Sequence, residues 1–459
     1  MTAINKSRRI LLICNTTIGE NMVGPAIRYW EFARVLSDHF TVTLAIPPFV
    51  KQGSLPSPPF EVKIRRCQNE ADLDTLAWET EVIVTVGDVL SHYPRLLKTD
   101  KPLVLDTYIP FLIENLNLYP NRVPTHEDLL SNERDRNAHS TQLRVADFII
   151  CASERQRDYW LGFLTALGRI NPYTHHDDKT LRRLIDVVPF GLPKDRPIHT
   201  RQVLKGVYKS IKSDDDVLIW TGGIWKWLDA STLIKAMPLV IQERPNVKLF
   251  FMGTRRPDTP STSKIDVEAI TLSKELGLYD THIFFNDWTP YHERQNYLLE
   301  ADLGVSLHSN HIETKFAFRT RSLDHLWTGL PLVATEGDVM SAELSSLNLA
   351  RIVKAGDVEG VAQAIIEMLN APEIRQKYQA NLESVVAKYQ WEVVTKPLIE
   401  FCAQPYFAPD KAYLKSTLVI EVGPTPYWKL PQKAWRILKD GGLRGFLRQL
   451  KGYVLWKQG

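Results

Sequence analysis

Short apolar runs rich in β-branched residues recur along the chain, each followed by a stretch with helical periodicity. This alternation restricts the fold more than any other feature. In the first part the runs are Ile10–Cys14, Thr41–Ile46, Val82–Val86, Leu103–Leu105 and Phe148–Cys151, bounded by Asn, Pro, Gly or Asp. Between the first two, Tyr29, Ala33, Leu36 and Phe40 fall at i, i+4, i+7 and i+11 and form one apolar helical stripe. Continuously apolar strands separated by helices require a mostly parallel sheet covered on both faces.

The alternation pauses at residues 186–196, DVVPFGLPKDR, where Val187 and Val188 end a strand and Pro189, Gly191, Pro193 and Pro197 punctuate a connector. A second series follows: Val217–Trp220, Val247–Met252, His282–Phe285, Leu303–Leu307, Pro331–Ala334 and Ala350–Val353. Residues 358–402 read as two or three consecutive helices, the last packing back on the first domain. The expected fold class is α/β, with two doubly wound Rossmann-like domains facing a cleft. The boundaries are 1–192, 193–402, and 403–459 for a linker and basic tail. The length of 459 residues suits two or three domains. Ligands of such sheets bind beyond the carboxyl ends of the strands, so the cleft is where chemistry is expected.

Charge excludes some function classes. Lys and Arg total 56 against 53 Asp and Glu, so no global basicity points to nucleic acid. The balance is uneven, however. Residues 425–459 hold eight Lys/Arg and one acid, interleaved with Trp435, Leu438, Leu443, Phe446, Leu447, Leu450 and Trp456. A cationic amphipathic segment of this kind suits an anionic membrane surface. No run of about 18 apolar residues exists to cross a membrane. The cysteines Cys14, Cys67, Cys151 and Cys402 are far apart, which points to a reducing, cytoplasmic setting. No metal is expected. Asp72-Leu73-Asp74 lies in a polar helical connector, His175-His176 in a polar loop, and Asp214–Asp216 is a solvated run before a strand.

Three segments are candidates for chemistry. After the first strand, Gly24 permits close backbone approach, Pro25 suits a first helical position, and Arg28 stands one turn in. The free N–H groups of that helix start suit a phosphate or an acceptor. After the first strand of the second half, Gly222-Gly223 make a turn and Lys226 stands ready to neutralise a diphosphate. After Leu303–Leu307 comes the densest segment, residues 308–325. Arg319, Thr320 and Arg321 stand at a helix start, where two guanidiniums and helix N–H groups make an anion site. Asp324, a turn further, can accept from vicinal ribose hydroxyls, and Glu313 can grip a sugar hydroxyl.

These segments resemble a glycosyltransferase of the GT-B fold, family 4 type. Gly24-Pro25-Ala26-Ile27-Arg28 is similar to that family's glycine loop and helix. Val188-Pro189-Phe190-Gly191-Leu192-Pro193 is similar to its hinge, Lys226-Trp227-Leu228-Asp229 to its Lys-Gly-x-Asp element, and Gly329-Leu330-Pro331 to the strand entry after its donor-site helix. Val104–Tyr108, Glu114-Asn115-Leu116 and Ser153–Arg157 resemble a bacterial surface-polysaccharide subgroup. The family's usual two glutamates with seven residues between them are here Glu313 and Asp324 with ten between. Its basic residue before the lysine is replaced by Gly223, with Arg319 or Arg321 supplying the cation.

The resemblance implies a hexosyltransferase-like enzyme that moves a sugar from a nucleoside diphosphate to an acceptor hydroxyl with retained configuration, in cell-surface polysaccharide or glycolipid synthesis. It needs no cofactor beyond that donor. Lys226, Arg319, Arg321 and Glu313 would be catalytic. Asp324, Gly222, Gly223, Thr320 and Gly24 would hold the nucleotide sugar. Arg28, His92, Asp106 and Tyr108 would serve the acceptor side. The expected partners are a nucleotide sugar, a glycan or lipid-linked acceptor and an anionic membrane reached through 425–459. The alternatives are a sugar-nucleotide epimerase of the same fold and an inactive nucleotide-sugar-binding or membrane-recruited scaffold.

Overall fold

The structure is a computed structural model. It describes residues 6, 8–50, 55, 57–119, 122–208, 210–254 and 264–417. The basic segment 425–459 lies outside these residues.

The first lobe is built on strands β1 (Arg9–Ile13), β2 (Thr41–Ile46), β3 (Lys63–Arg66), β4 (Val82–Val86), β5 (Leu103–Asp106), β6 (Phe148–Cys151) and β7 (Ile185–Val187), in the order β3-β2-β1-β4-β5-β6-β7. The second holds β8 (Asp216–Trp220), β9 (Val247–Phe251), β10 (Ile283–Phe285), β11 (Leu303–Ser306), β12 (Leu332–Thr335) and β13 (Arg351–Val353), in the order β10-β9-β8-β11-β12-β13. Every pairing is parallel. Helices cover both faces, so the central strands β4, β5, β6, β11 and β12 are buried at every residue. That explains why they read as unbroken apolar runs.

The apolar runs locate their strands to within a residue or two. The one strand absent from the sequence reading is β3, Lys-Ile-Arg-Arg. It lies at the sheet edge, where charged side chains are tolerated and an apolar run is not needed. The expected helix after β1 spans Gly24–Ser37 with Pro25 in its first turn. Residues 358–402 hold four helices, Val358–Asn370, Pro372–Lys388, Trp391–Val394 and Lys396–Ala403, rather than two or three. His175-His176 lie in a short helix, Pro172–Asp177, whose cap is Asn171, and not in a loop. Asp72 accepts from Gln68 N and Asp74 pairs with Arg95, so the Asp-x-Asp carboxylates are engaged locally.

The chain crosses between lobes twice, side by side. Leu192 N donates to Tyr389 O at 2.8 Å, and Trp391 N donates back to Leu192 O at 3.1 Å. Gly191 sits beneath Trp391, where any Cβ would lie 2.5 Å from the indole. The Trp391 ring meets Phe32 and Phe190, and Phe401 stacks on Phe148, so the final helices pack on the first lobe. The chain then reaches Asp410, which forms a buried pair with Arg169, and Lys411, which pairs with Asp147.

Candidate active site

In each sheet the strand order reverses at one point, between β1 and β4 in the first lobe and between β8 and β11 in the second. The loops that leave adjacent strands there part in opposite directions and open a crevice. The two crevices share one cavity of about 170 Å³, open to solvent. Its walls come from Met22–Gly24 after β1, the hinge at Phe190–Pro193, Thr221–Gly223 and Trp225 after β8, Met252 after β9, Trp288–Tyr291 after β10, and the Arg321–Thr328 helix after β11.

Arg321 is the most unusual group in it. Its Nη2 donates to Gly223 O at 3.1 Å and its guanidinium lies 5.1 Å from the Trp220 ring centre, while Nη1 is buried with no hydrogen-bond partner. Burial lowers its pKa to about 9. Arg319 pushes the same way and Asp324 opposes. The turn that holds it depends on Gly222, whose φ of +70° an L side chain rarely adopts. Thr320 precedes the helix at the same spot. A desolvated cation with an unused N–H beside a helix start is arranged to accept an anion.

Asp324 stands one turn along and lines the cavity. It accepts from Arg294 Nε at 3.1 Å. Arg294 is clamped in turn between the Tyr291 and Trp327 rings, at 3.9 and 4.5 Å.

Glu313 and Arg319 lie deeper. They form a bidentate pair, Nη1–Oε1 3.0 Å and Nη2–Oε2 2.7 Å, with Glu313 1% and Arg319 7% exposed. Arg319 therefore does not stand beside Arg321 as a second open cation: burial made a partner necessary, and Glu313 supplies it. His311 Nδ1 lies 3.6 Å from Glu313 Oε2. Lys226 is exposed on the loop after β8 and does not line the cavity. That loop is laid against the one after β11, since Asp229 N donates to Leu307 O and Leu228 bridges to His308.

Two residues expected on the acceptor side have another occupation. Arg28 is fully buried and donates to Asp106 Oδ2 (2.7 Å) and Oδ1 (3.1 Å) and to the carbonyls of Val188 and Pro189 (2.8 Å each). The pair ties the first helix to the hinge and is closed to a substrate. Tyr108 is buried over Arg28, its hydroxyl 3.5 Å from the place of a Gly24 Cβ. His92 lies apart, beyond β4, with Nε2 3.0 Å from Asp88 Oδ2 and its ring stacked on Phe49. The Asp88 hydrogen bond raises its pKa against the effect of burial.

Arg294, Tyr291 and Trp288 had no signal in the residue pattern. Their one sequence clue is position, in the loop and helix after the third strand of the second half, where the doubly wound topology turns loops toward the cleft. Among the described residues no group of three or more His, Cys, Asp or Glu is arranged to hold a metal. No described helix is long and apolar enough to cross a membrane.

Comparisons with known proteins bear on the fold and on the second lobe. No curated protein matches the chain significantly. Solved structures match it along nearly their whole length. Sucrose-phosphate synthase from Thermosynechococcus elongatus superposes with a TM-score of 0.63 at 15% identity, over 86% of this chain and 98% of that one. Anabaena HepE in complex with UDP-glucose gives 0.59 at 14%, over 86% and 99%. WaaG, a glycosyltransferase involved in lipopolysaccharide biosynthesis, gives 0.53 at 13%, over 86% and 100%. The fold is therefore GT-B, as the sequence pattern predicts. Residues 215–371, within the second lobe, match the family model of glycosyl transferases group 1.

Proposed function

We propose that the chain is a retaining glycosyltransferase that moves a sugar from a nucleoside-diphosphate donor to an acceptor hydroxyl in cell-surface polysaccharide or glycolipid synthesis. The observation that carries this reading is Arg321, a desolvated guanidinium with an unpartnered N–H facing a glycine turn in the interlobe cleft. The glycosyltransferase domain over 215–371 and the likeness to HepE, whose structure holds UDP-glucose, support it.

The anomeric carbon breaks its bond to the diphosphate oxygen and forms one to the acceptor oxygen on the same face. The acceptor proton passes to the leaving phosphate, so no protein nucleophile is needed. The difficulty is the charge that gathers on the leaving oxygen. Arg321 receives that charge, and Gly222-Gly223 leave room for the phosphate to approach. Lys226 adds positive charge from the rim. Asp324, steadied by Arg294, takes the ribose hydroxyls. The Glu313–Arg319 pair acts as one unit at the sugar end. Side chains supply the neutralisation that a metal ion supplies elsewhere. The acceptor is a glycan or lipid-linked glycan at the cytoplasmic membrane face, with 425–459 as the contact to anionic lipid.

The test is release of nucleoside diphosphate across a panel of nucleotide sugars, with and without acceptor glycans. Acceptor-dependent release supports the reading, and Arg321→Met is expected to cut turnover about a hundredfold. Donor interconversion without release would show an epimerase, and binding without release a scaffold. An unchanged rate in Arg321→Met would remove the proposed phosphate site.

A further inference from the structure

The first turn of the Glu154–Ala166 helix, after β6, lies against the turn Ile312–Phe316 of the other lobe, and none of the roles above uses it. Gln156 is fully buried there. Its Nε2 donates to Tyr108 O of the first lobe and to Phe316 O of the second, each at 2.9 Å. Its Oε1 accepts from Ala152 N at 2.8 Å. One turn along, Tyr159 meets Phe316 ring to ring at 5.2 Å. Arg155 donates to Gly337 O at 3.1 Å, and Gly337 backs the same turn: a Cβ there would stand 3.3 Å from Thr314 Cγ2. The turn gripped in this way carries Glu313, and Ala317 N closes it on Glu313 O at 2.9 Å.

We propose that Gln156 is a positioning residue for the transfer: from the first lobe its amide fixes the turn Ile312–Phe316 of the second, and through that turn the Glu313 carboxylate and its Arg319 partner at the sugar end of the site. The inference rests on the glycosyltransferase reading for the role of that pair, not for the hydrogen bonds themselves.

The chemistry of the amide makes the bridge specific. Its nitrogen carries two N–H groups, and one goes to each lobe. The oxygen is not spare: its bond from Ala152 N holds the side chain in place. The backbone is held as well, since Gln156 N donates to Ser153 Oγ at 3.2 Å. Gln156 thus takes its aim from two segments of the first lobe, the helix start and the loop after β5, and delivers it to one turn of the second. Phe316 O stands three residues past Glu313 in that turn, so a shift of the carbonyl shifts the carboxylate. Losing the bond strands a buried N–H and a carbonyl together, and the turn must move before either finds water.

The experiment uses the full chain with Gln156→Glu, which keeps the shape and the acceptor for Ala152 N but sets an oxygen against both carbonyls. Two readouts are taken: steady-state kinetics with a turned-over donor and acceptor, and amide hydrogen exchange of the ligand-free protein. kcat is expected to fall about 10- to 100-fold, the scale of a displaced catalytic group. The KM of the donor is little changed, because Arg321 and Asp324 stand on a helix that Gln156 does not hold. Exchange is expected to quicken in residues 309–319 and not in β8, β11 or β12. A variant that only weakens the first lobe would leave 309–319 as in the wild type; that result, or an unchanged kcat, overturns the proposal. Tyr159→Ala, which removes the ring against Phe316 and leaves the amide in place, is expected to quicken the same residues by less. Should Gln156→Glu not fold, this second variant decides, and unchanged exchange at 309–319 in it overturns the proposal. Should no nucleotide sugar be turned over, the glycosyltransferase reading falls, and the exchange series still decides whether Gln156 holds the turn.

Discussion

Replacing Arg321 by methionine should make the ligand-free protein more stable and nearly blind to nucleotide. The guanidinium is kept in the cleft at a cost: its pKa has fallen to about 9, and that penalty is present in full at any pH below this value and is relieved only as pH rises toward the unfolded value. Methionine has nearly the same reach, can lie on Trp220 and carries no charge to desolvate. Its one structural loss is the bond to Gly223 O, which still accepts from Trp220 Nε1 at 3.3 Å and so is not orphaned. A gain of about 1–2 kcal/mol in urea unfolding is expected, typical of relief at a functional site. Binding moves the other way. A charged hydrogen bond to a diphosphate is worth roughly 1.5–3 kcal/mol, or about 10- to 150-fold in Kd. Wild-type protein at 100 times Kd gains about 2.7 kcal/mol from ligand. A hundredfold weaker variant at the same concentration gains about 0.4. Thermal shift against UDP, GDP and ADP reads this directly. A variant that is less stable than wild type and still shifts with nucleoside diphosphate would refute the anion role of Arg321.

Arg28→Ala should destabilise by about 3–5 kcal/mol, because it leaves the Asp106 carboxylate buried without its cation; the double change Arg28→Met with Asp106→Leu should cost less, and urea unfolding of the three proteins checks the order. His325 is fully buried with both ring nitrogens unpartnered; burial, and secondarily Arg321, hold its pKa near 3. Its neutral form must take up a proton on unfolding in acid, so stability should be lost as pH falls below about 6.5, with this residue adding about 1.4 kcal/mol per pH unit. His325→Phe should flatten that limb, and equal acid limbs would count against it. Removing 425–459 should weaken binding to anionic liposomes and leave donor affinity unchanged; equal liposome binding would end the membrane proposal.

The periodicity of apolar residues locates nearly every strand because parallel strands buried on two faces leave no other pattern. The same logic fails for Lys63–Arg66, whose edge position removes the need for apolar side chains. The cleft is legible from topology, and Gly222, Gly223, Thr320, Arg321, Asp324 and Gly24 do line it. Pairing is what the linear chain conceals. Arg28 and Asp106 are 78 positions apart, and nothing local in either says that they neutralise each other. Arg319 and Glu313 are six apart, yet only the fold decides that the guanidinium turns to the carboxylate and not to the open cavity. Arg294 is fixed by Tyr291, Trp327 and Asp324, a set no motif spans.

The doubled crossing at Leu192 and Tyr389–Trp391 has a mechanical consequence. One strand of backbone would be a swivel, free to twist. Two, stitched to each other by a pair of backbone hydrogen bonds and capped by an indole, resemble a door hung on two pins, restrained from twisting. Any parting of the lobes is thereby held close to one axis, so that the Arg321 helix keeps its alignment with the Gly24 turn on the facing wall.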